Sequence, residues 1–285
     1  MKRTIPALVG ALALVALCLG AQLAPGSSAA YVAKVTNTTN TSATATFTCA
    51  AAYATDKGTA IFQYPLSESG VSSSPTIAQV SDISGNNRTG YYYPSLGAIT
   101  TSTAAPTGCP RDTGGAWVLN GSSNFAVTPG TFVNPQTFSE EIWFKTTIAG
   151  GKLIGFGNSQ NGSSGTFDRH IYLTSGGQLT FGVYNGGANT ITSSAAYNNG
   201  LWHQVVATFS PGTGAILYVD GAVVASNPAF TVAETNTGYW KIGWDNLGGW
   251  PNPGNYYYSG QLRYAAVYSS VLSASQVLIH YNAGK

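Results

Sequence analysis

The sequence predicts an all-β protein, a two-sheet antiparallel β-sandwich with one short helix at its C-terminus. Segments rich in β-branched and aromatic residues alternate with Gly-, Asn- and Ser-rich turns, which recur about every 8–12 residues. In the clearest example, the apolar runs Val205–Phe209 and Ile216–Val219 flank the polar turn Ser210–Gly214. The dipeptide Asp220-Gly221 gives a second turn, because glycine accepts positive φ without strain. Three consecutive antiparallel strands are therefore predicted here.

The other strands are predicted from the same signals, taken in chain order. Ala60–Leu66 is the first strand of the main domain. Gly115–Leu119 and Phe125–Thr128 are predicted to form a hairpin around residues 120–123, and aromatic residues alternate along Phe138–Thr146. Gly-rich turns separate the further predicted strands, which are Lys152–Phe156, His170–Thr174, Gln178–Tyr184, Thr190–Ser193, Leu201–Phe209, Ala215–Val219 and Ala222–Ala225.

One clear helix start lies near the C-terminus. Ser273 is the predicted N-cap, Gln276 can complete a capping box, and Leu272 can contact Val277 in a hydrophobic staple. Gly284 is predicted to end the helix, because glycine readily adopts the left-handed conformation found after a helix. This terminal helix is expected to lie beside the last strand.

The first 30 residues have the pattern of a secretory signal peptide. Lys2 and Arg3 are followed by the apolar run Ile5–Leu19 and by small residues, so cleavage is predicted between Ala30 and Tyr31. A retained anchor is the alternative, but the apolar run is shorter than the roughly 20 residues of a comfortable membrane span. The mature chain is therefore predicted to have no membrane span and to be secreted, either free or associated with the cell surface.

The chain carries few charges. Asp, Glu, Lys and Arg make up 8% of the residues, whereas an average globular protein has about 25%. Loss of Lys2 and Arg3 with the signal peptide leaves equal numbers of basic and acidic side chains. Such a surface exerts little long-range attraction, so nucleic acid is excluded as an expected partner. Neutral, hydroxyl-rich ligands or an extracellular polymer suit it better.

A Thr- and Ala-rich lead-in, residues 31–59, precedes the main domain at residues 60–285. Alternation over Thr44–Thr48 predicts one strand in the lead-in. After signal cleavage two cysteines remain, Cys49 and Cys109, and two cysteines in an exported chain most often pair. A disulfide is therefore predicted, worth about 4 kcal/mol in the chain-entropy model for a loop of this length. Two unpaired buried thiols are the alternative.

Several motifs together resemble one family of domains. The hairpin Trp202-His203-x-Val205 with Leu217–Gly221, and the strand Phe138–Lys145, are similar to those of laminin G-like jelly-roll domains. These domains belong to the concanavalin A-like lectin/glucanase superfamily, here in its bacterial secreted type. Further similar segments extend the resemblance from about Phe62 to Tyr281: Gly155–Asn158, Asp168–Tyr172, Gly238–Gly243, Asp245–Leu247, Ala266–Tyr268 and Leu272–Ser273. The resemblance implies a jelly roll but not one function, because this superfamily includes lectins, hydrolases and adhesion modules.

Asp82 is a weak candidate for a calcium ligand. Oxygen-bearing side chains alternate at Asp82, Ser84 and Asn86, a spacing that can bring oxygens together around Ca²⁺. The alternative is an Asx-type turn that satisfies its own backbone. The resemblance implies a calcium-binding aspartate in the last long strand, but Arg263 stands there, and a guanidinium cannot ligate a cation. Structural calcium is therefore disfavoured, no other cofactor is expected, and Arg263 is predicted to pair with Asp82 or another nearby carboxylate.

The acid inventory argues against catalysis. Hydrolases of the superfamily commonly carry an E-x-D-x-x-E string, which aims two carboxylates at one cleft, and the 10 acidic residues of this chain contain no such string. Glu140 and Glu141 are adjacent, so on a strand they face opposite sides. The three histidines show no metal-ligand spacing and are predicted to be structural. No catalytic residue is predicted, and the protein is not expected to be an enzyme.

A ligand site is predicted in two stretches rich in aromatic and amide side chains, Phe167–Tyr172 and Tyr239–Tyr258. Apolar walls with a few placed polar groups are the usual composition of a small-ligand site. In the first stretch, the alternative is an ion pair between Asp168 and Arg169 that locks a loop against the Trp244–Trp250 segment. In the second, the strand residue Trp240 is expected in the core, and Trp250 alternatively seals the loop. The candidate ligand-binding residues are Asp168, Arg169, Trp244, Asp245, Asn246 and Trp250.

These observations predict a secreted, non-catalytic binding module for carbohydrate or a cell-surface polymer. The first alternative is a structural or adhesive surface protein without a sugar site. The second is a glycoside hydrolase, against which the acid inventory argues. Exposed tryptophans and tyrosines along a groove would favour binding, whereas the same rings packed inward would favour a structural role.

Overall fold

Two antiparallel sheets face each other in the structure of this chain, a computed structural model that describes residues 47–68, 78–93, 100–102 and 108–285. In chain order the elements are α1 Cys49–Thr55, β1 Ala60–Tyr64, β2 Gln79–Val80, β3 Gly90–Tyr93, β4 Thr100–Ser102, β5 Ala116–Asn120, β6 Phe125–Val127, β7 Phe132–Val133, β8 Phe138–Lys145, β9 Lys152–Gly157, β10 Phe167–Leu173, β11 Gln178–Tyr184, β12 Ala188–Ala196, β13 Trp202–Ser210, β14 Gly214–Val219, β15 Ala222–Asn227, β16 Thr237–Ile242, β17 Ser259–Tyr268 and α2 Ala274–Gly284.

The two sheets differ in strand order. The first runs β15-β14-β13-β8-β17-β5-β4, with β1 also paired to β17, and the second runs β12-β11-β10-β9-β16-β6-β3-β2, with β7 paired to β16. Neighbours in each sheet often come from distant parts of the chain, as expected for a jelly roll. The predicted two-sheet sandwich is confirmed.

The predicted three-strand meander is present as β13, β14 and β15. Val205 pairs with Val219 across the first hairpin, and Val219 pairs with Ala222 across the second. Asp220 and Gly221 both have positive φ, at 52° and 80°, which is the backbone conformation that a type I′ hairpin turn requires. The local turn chemistry therefore predicted these pairings correctly.

The predicted hairpin between residues 115 and 128 is wrong. β5 pairs with β4 and β17 in the first sheet, whereas β6 pairs with β3 and β16 in the second. The connecting turn is real, because the Asn120 side chain accepts from the backbone N–H of Ser122 and Ser123 at 2.9 and 3.1 Å. This turn carries the chain from one sheet to the other.

Aromatic side chains dominate the core between the sheets. Trp240 is fully buried, as predicted, and its ring centroid lies 5.5 Å from that of Phe138 and 5.1 Å from that of Phe156. Glu140 also faces this core, and its carboxyl oxygens have no hydrogen-bond partner within the described residues. Burial raises the pKa of Glu140 well above its ordinary value, so the side chain is neutral in the core.

The outer face of the first sheet is covered by the two helices. Residues 47–59, which the sequence assigns to the lead-in, lie in the same compact unit as the sandwich. α1 is joined to the rest of this unit by the Cys49–Cys109 disulfide, which confirms the predicted pairing. The strand predicted at Thr44–Thr48 lies largely outside the described residues, and its last two residues lead directly into α1.

The C-terminal helix α2 has the predicted capping box. The Ser273 side chain accepts from the Gln276 backbone N–H, and the Gln276 side chain accepts from the Ser273 backbone N–H at 2.8 Å. Val277 is buried on the face of α2 that covers the first sheet, next to the buried Leu272. The helix ends at Gly284, as the sequence predicted.

Arg263 does not pair with Asp82, contrary to the expectation. The guanidinium of Arg263 is fully buried and donates to five backbone carbonyl oxygens, those of Gly108, Cys109, Asp112, Thr113 and Gly114, at 2.8–3.4 Å. Asp82 instead accepts from backbone N–H groups, including its own Asx-type turn to Ser84 at 3.0 Å. Arg263 therefore neutralises a ring of carbonyl dipoles rather than a carboxylate.

The described residues include no helix with the length and hydropathy of a membrane span.

Candidate functional site

The candidate site lies on the outer face of the second sheet, where a long loop covers part of β9, β10 and β11. This loop, residues 243–258, is closed at its base by a 2.9 Å hydrogen bond from the Tyr258 N–H to the Gly243 carbonyl. Its middle is fastened to β10, because the Tyr172 hydroxyl donates to the Pro251 carbonyl at 2.7 Å. We call residues 243–258 the covering loop.

Two glycines in the strands make room for the covering loop. A Cβ atom on Gly182 would lie 2.3 Å from the ring of Trp250, and a Cβ atom on Gly155 would lie 2.3 Å from the Cβ of His170. The His170 ring packs edge-on against Trp250, with centroids 4.1 Å apart. Burial lowers the pKa of His170 well below its ordinary value, so His170 is a neutral packing side chain.

Asp245 fixes the start of the covering loop. Its Oδ1 atom accepts from the backbone N–H groups of Ser164 and Asn246 at 3.0 and 2.8 Å. The same carboxylate lies 3.2 Å from Lys241 Nζ and 4.0 Å from Lys152 Nζ. Burial lowers the pKa of Lys152 to about 8, against the opposing effect of Asp245. Asp245 is fully buried, so it stabilises the loop and does not contact a ligand.

A second buried ion pair, between Asp168 and Arg169, lies on the other side of the candidate site from Asp245. Arg169 adopts a positive φ of 46°, where β10 departs from regular register against β9. It pairs with Asp168 and donates to the Glu234 carbonyl at 2.5 Å and the Pro135 carbonyl at 2.8 Å. Asp168 in turn accepts from the Tyr184 N–H at 3.2 Å. The pair thereby fixes the backbone of both Glu234 and Tyr184.

An open pocket of about 510 Å³ lies between the covering loop and the segments that the Asp168–Arg169 pair holds. Three aromatic side chains line it, namely the half-buried Phe167, the exposed Tyr184 and the largely buried Trp250. Small residues form much of the remaining wall: Gly165, Thr166, Gly187, Ala188, Gly248 and Gly249. The pocket can therefore hold a small group against aromatic surface.

Glu234 supplies the charge of the pocket. All 10 acidic residues lie within the described part of the chain, and among them only Glu234 lines the pocket. No lysine, arginine or histidine is among the lining residues. Within the described residues, the Glu234 carboxylate accepts no hydrogen bond and has no cation within 4.0 Å. The pocket is thus aromatic with a single negative group.

A family model of laminin G type, described as the concanavalin A-like lectin/glucanases superfamily, matches residues 119–278. The matched segment covers more than half of the chain and includes every residue that lines the pocket. The chain belongs to this superfamily. A search of curated proteins by sequence finds no match.

Several solved structures of other proteins share this fold at low sequence identity. Botulinum neurotoxin type C, whose cell entry depends on interaction with two ganglioside molecules, aligns over 81% of this chain and 52% of its own, with 14% identity and a TM-score of 0.52. The binding domain of botulinum neurotoxin DC, in complex with rat synaptotagmin II, aligns over 80% and 52%, with 13% identity and the same TM-score.

The binding domain of Paraclostridial mosquitocidal protein 1 is a third similar structure. It aligns over 79% of this chain and 52% of its own, with 16% identity and a TM-score of 0.52. The chain thus spans about half the length of these three proteins. Likeness at this level of identity establishes a shared fold.

Of the residues predicted to bind ligand in this concanavalin A-like chain, Trp250 alone lines the pocket. Asp168, Arg169 and Asp245 are fully buried in ion pairs, so no ligand reaches them. The ion pair of the alternative interpretation is present, but it bonds to Pro135, Glu234 and Tyr184 and not to the Trp244–Trp250 segment against which it was expected to lock a loop. Asn246 is half-buried; its side chain donates to the Ser164 carbonyl, outside the covering loop, and accepts from the Gly248 N–H within it.

Trp244 lies outside the pocket. Its half-buried ring stacks on Tyr257, with centroids 4.8 Å apart, and Lys241 Nζ lies 4.4 Å from its centroid. The ring also packs against Phe125 at 4.9 Å. Trp244 is therefore already engaged by neighbouring side chains of the protein.

Two pocket residues, Tyr184 and Glu234, were not predicted. Tyr184 is the last residue of β11 and precedes a Gly-rich turn. An aromatic residue at the start of a loop could have been predicted as a binding residue, because binding residues are often found on loops. Glu234 lies in an irregular segment before β16 and has no motif around it. Only the fold brings this residue beside β10 and β11.

Proposed function

We propose that the chain is a secreted, non-catalytic binding module that holds a carbohydrate, or the glycan part of a cell-surface polymer, in this pocket. The observation that carries the proposal is the composition of the pocket, with Phe167, Tyr184 and Trp250 beside the single carboxylate of Glu234. Aromatic rings offer apolar surface to the C–H groups of a sugar, while a carboxylate accepts hydrogen bonds from its hydroxyls.

The size and support of the pocket agree with this proposal. Small-ligand sites commonly enclose about 300–1,000 Å³, and this pocket has about 510 Å³. Its walls are fixed before any ligand arrives, because the buried Asp168–Arg169 pair holds Tyr184 and Glu234 through their backbones. A preformed wall lowers the entropy cost of binding.

The comparisons support the proposal only at the level of fold. One similar structure is that of a toxin that interacts with gangliosides, which are glycolipids, and another is a toxin binding domain in complex with a protein. The fold is thus one that binds a glycan in one protein and a protein in another, and the neutral, charge-poor composition of this chain is what favours a glycan here.

A glycoside hydrolase would need a second carboxyl group in the same cleft, about 5–9.5 Å from the first. Glu234 has no such companion among the lining residues. Asp168, the nearest acid that the structure ties to the same wall, is fully buried against Arg169. The acid inventory thus supports binding without catalysis.

A structural or adhesive role without a sugar site is the second candidate, and the packing of Trp250 favours it. This ring is only 6% exposed and fills the space above Gly182. Rings that pack inward were expected for a structural role. The exposed face of Tyr184 and the open volume beside it are what favour ligand binding instead.

The decisive experiment is a glycan-binding panel on the purified mature protein with Tyr184→Ala. Tyr184 is 37% exposed, so its removal should leave the fold intact. We expect one glycan class to bind, and Tyr184→Ala to weaken that binding about threefold to tenfold, the range for a lost aromatic contact. Tyr91→Ala, which changes a half-buried tyrosine outside the pocket, is the matched control.

The result would go against the proposal if no glycan bound, or if Tyr184→Ala and Tyr91→Ala had equal effects. Trp250→Ala is a less informative variant, because it removes a ring that packs on His170 as well as on the pocket. Thermal unfolding of each variant checks that any loss of binding is not a loss of fold.

Export is part of the proposal. The Cys49–Cys109 disulfide supports it, since such bonds persist in oxidising compartments outside the cytosol. Mass spectrometry of the protein recovered outside the producing cell should give a chain that begins at Tyr31. A chain that stays in the cytosol and keeps Met1 would contradict export.

A further inference from the structure

Glu234 is the one acidic residue among the described residues that line the pocket, and none of them is basic. Glu234 is half-buried at the pocket wall, and its carboxylate has neither a hydrogen-bond donor nor a cation in contact within the described part of the chain. A carboxylate that has lost part of its water without gaining a partner is unfavourable. A ligand that brings a positive charge would supply that partner.

Two buried cations near the pocket, Arg169 and Lys152, already interact with aspartates. The Arg169 guanidinium is fully buried, pairs with Asp168 and touches Glu234 only through the backbone carbonyl. Lys152 is also fully buried, behind the Phe167 ring, with its Nζ atom 5.7 Å from the ring centroid and 4.0 Å from Asp245. Arg169 pairs with Asp168, while Lys152 and Lys241 share Asp245. Glu234 interacts with the Arg169 guanidinium only at longer range, so within the described residues its carboxylate has no cation in direct contact.

The aromatic rings around Glu234 also favour a cation. The faces of Trp and Tyr carry negative potential and attract ammonium groups that lie within about 6 Å of the ring centroid. Trp250 and Tyr184 line the same pocket as Glu234, so a ligand that brings an ammonium group into the pocket meets aromatic surface as well as a carboxylate. A negative group in a pocket that also has aromatic rings suits a cation better than it suits a neutral hydroxyl.

We infer that this pocket selects a sugar that carries a protonated amine, a deacetylated amino sugar, over neutral and acidic sugars. The inference rests on the proposed function, because the rings would hold the sugar while Glu234 accepts hydrogen bonds from the ammonium. An N-acetylated sugar lacks the charge and leaves Glu234 uncompensated. An acidic sugar, bearing a carboxylate of its own, is repelled.

Isothermal titration at about pH 6, where a glutamate is ionised and an alkyl amine is protonated, tests this inference. The probes are oligomers of glucosamine, N-acetylglucosamine, glucose and glucuronic acid, with lysine amide as an amine without a sugar. We expect the glucosamine oligomer to bind about tenfold or more tightly than the neutral oligomers, as a charge-assisted hydrogen bond gives. Glu234→Gln should abolish this preference.

Glu68→Gln is the matched control, since it removes the same charge outside the pocket and should keep the preference for the amine. Equal binding of the amine and neutral oligomers would overturn the inference and leave the proposed function standing. A preference that persists in Glu234→Gln, or lysine amide binding as tightly as the glucosamine oligomer, would also overturn it. If no oligomer binds, both the inference and the proposed function fail.

Discussion

The imidazole of His280 on α2 lies 2.9 Å from the Glu141 carboxylate of β8, measured from Nδ1 to Oε2. The other ring nitrogen lies 3.0 Å from Oδ2 of Asp56, which follows α1. The His280 ring also stacks on Tyr53, with centroids 4.7 Å apart. One histidine thus joins both helices to the central strand of the first sheet. Adjacent Glu140 faces the opposite side, as expected for neighbours on a strand.

This arrangement predicts a pH-dependent contribution to stability. Burial by itself lowers the pKa of His280, but Glu141 and Asp56 together outweigh burial and raise the pKa above its ordinary value. The folded state therefore binds this proton more tightly than the unfolded state does. The stabilisation is fully present below about pH 6.5, the ordinary histidine pKa, and is lost as pH rises through the folded-state value.

The measurement is the unfolding free energy of His280→Gln against the unchanged protein at several pH values. We expect the variant to lose about 3 kcal/mol at about pH 6, because it leaves two carboxylates without their buried cation. The loss should shrink in alkaline solution. Other buried groups titrate too, so the difference between the two proteins is the relevant quantity. A difference that stays constant with pH would contradict this account.

Because the Arg263 guanidinium donates to five backbone carbonyls, we expect its removal to lower the unfolding free energy strongly. Arg263→Met leaves five backbone carbonyls near the disulfide without their donor, in a site with no water access to the side chain. We expect a loss of about 3 kcal/mol or more in unfolding free energy, measured by urea denaturation. Arg111→Met is the matched control, because exposed Arg111 also donates to backbone carbonyls.

For Arg111→Met we expect a loss of about 1 kcal/mol or less, since water can replace the lost donor at an exposed site. Similar losses for the two variants would show that burial of the Arg263 guanidinium is not what makes its bonds important.

Features that depend on neighbouring residues were predictable from the sequence. The Asp220-Gly221 turn and the Ser273 capping box each rest on a few adjacent residues, and both are present. The Cys49–Cys109 bond was predictable for another reason, because two cysteines in an exported chain leave only one pairing. In each case the signal did not require knowledge of which strands are neighbours.

Features that depend on strand order were not predictable. The sequence predicts a hairpin of β5 and β6 because residues between them form a good turn. In the structure, however, β5 pairs with β17 and β6 pairs with β3. The candidate site shows the same limit. Asp168 and Asp245 were expected to contact a ligand, but both are fully buried, Asp245 in its pair with Lys241 and Asp168 in its pair with Arg169. Glu234 had no local signal, since its role arises only where its segment meets β10 and β11.

Removal of the disulfide should release α1 from the sandwich. The double variant Cys49→Ser, Cys109→Ser is expected to lose about 2–4 kcal/mol in unfolding free energy, the usual range for a long closed loop. Asp112 should retain some hold on the helix, because its carboxylate accepts from the backbone N–H groups of Cys49 and Ala50 at 2.7 and 3.0 Å. Urea denaturation measures the loss.

Hydrogen exchange of the amides in Cys49–Thr55 shows where that loss occurs. We expect these amides to exchange faster in the double variant, while the amides of β8 keep their protection. Uniform loss of protection across the sandwich would mean that the disulfide supports the whole fold rather than α1.

Gly182→Ala tests how the covering loop is seated. The new Cβ would lie 2.3 Å from the Trp250 ring, a distance that real contacts essentially never show, so the ring must move away from β11. We expect a cost of about 1–3 kcal/mol from overpacking, together with loss of glycan binding, because Trp250 is part of the pocket wall. Tryptophan fluorescence should report the displacement.

Gly130→Ala is the control, since a Cβ there meets no atom within 4 Å. It should leave unfolding, fluorescence and binding unchanged. If Gly182→Ala shifts fluorescence and lowers stability but leaves glycan binding intact, Trp250 seals the loop without contributing to the site. If Gly182→Ala abolishes glycan binding as well, the ligand needs the Trp250 ring in its present position. Gly182 then contributes to the binding site, because the missing side chain is what allows the ring to lie there.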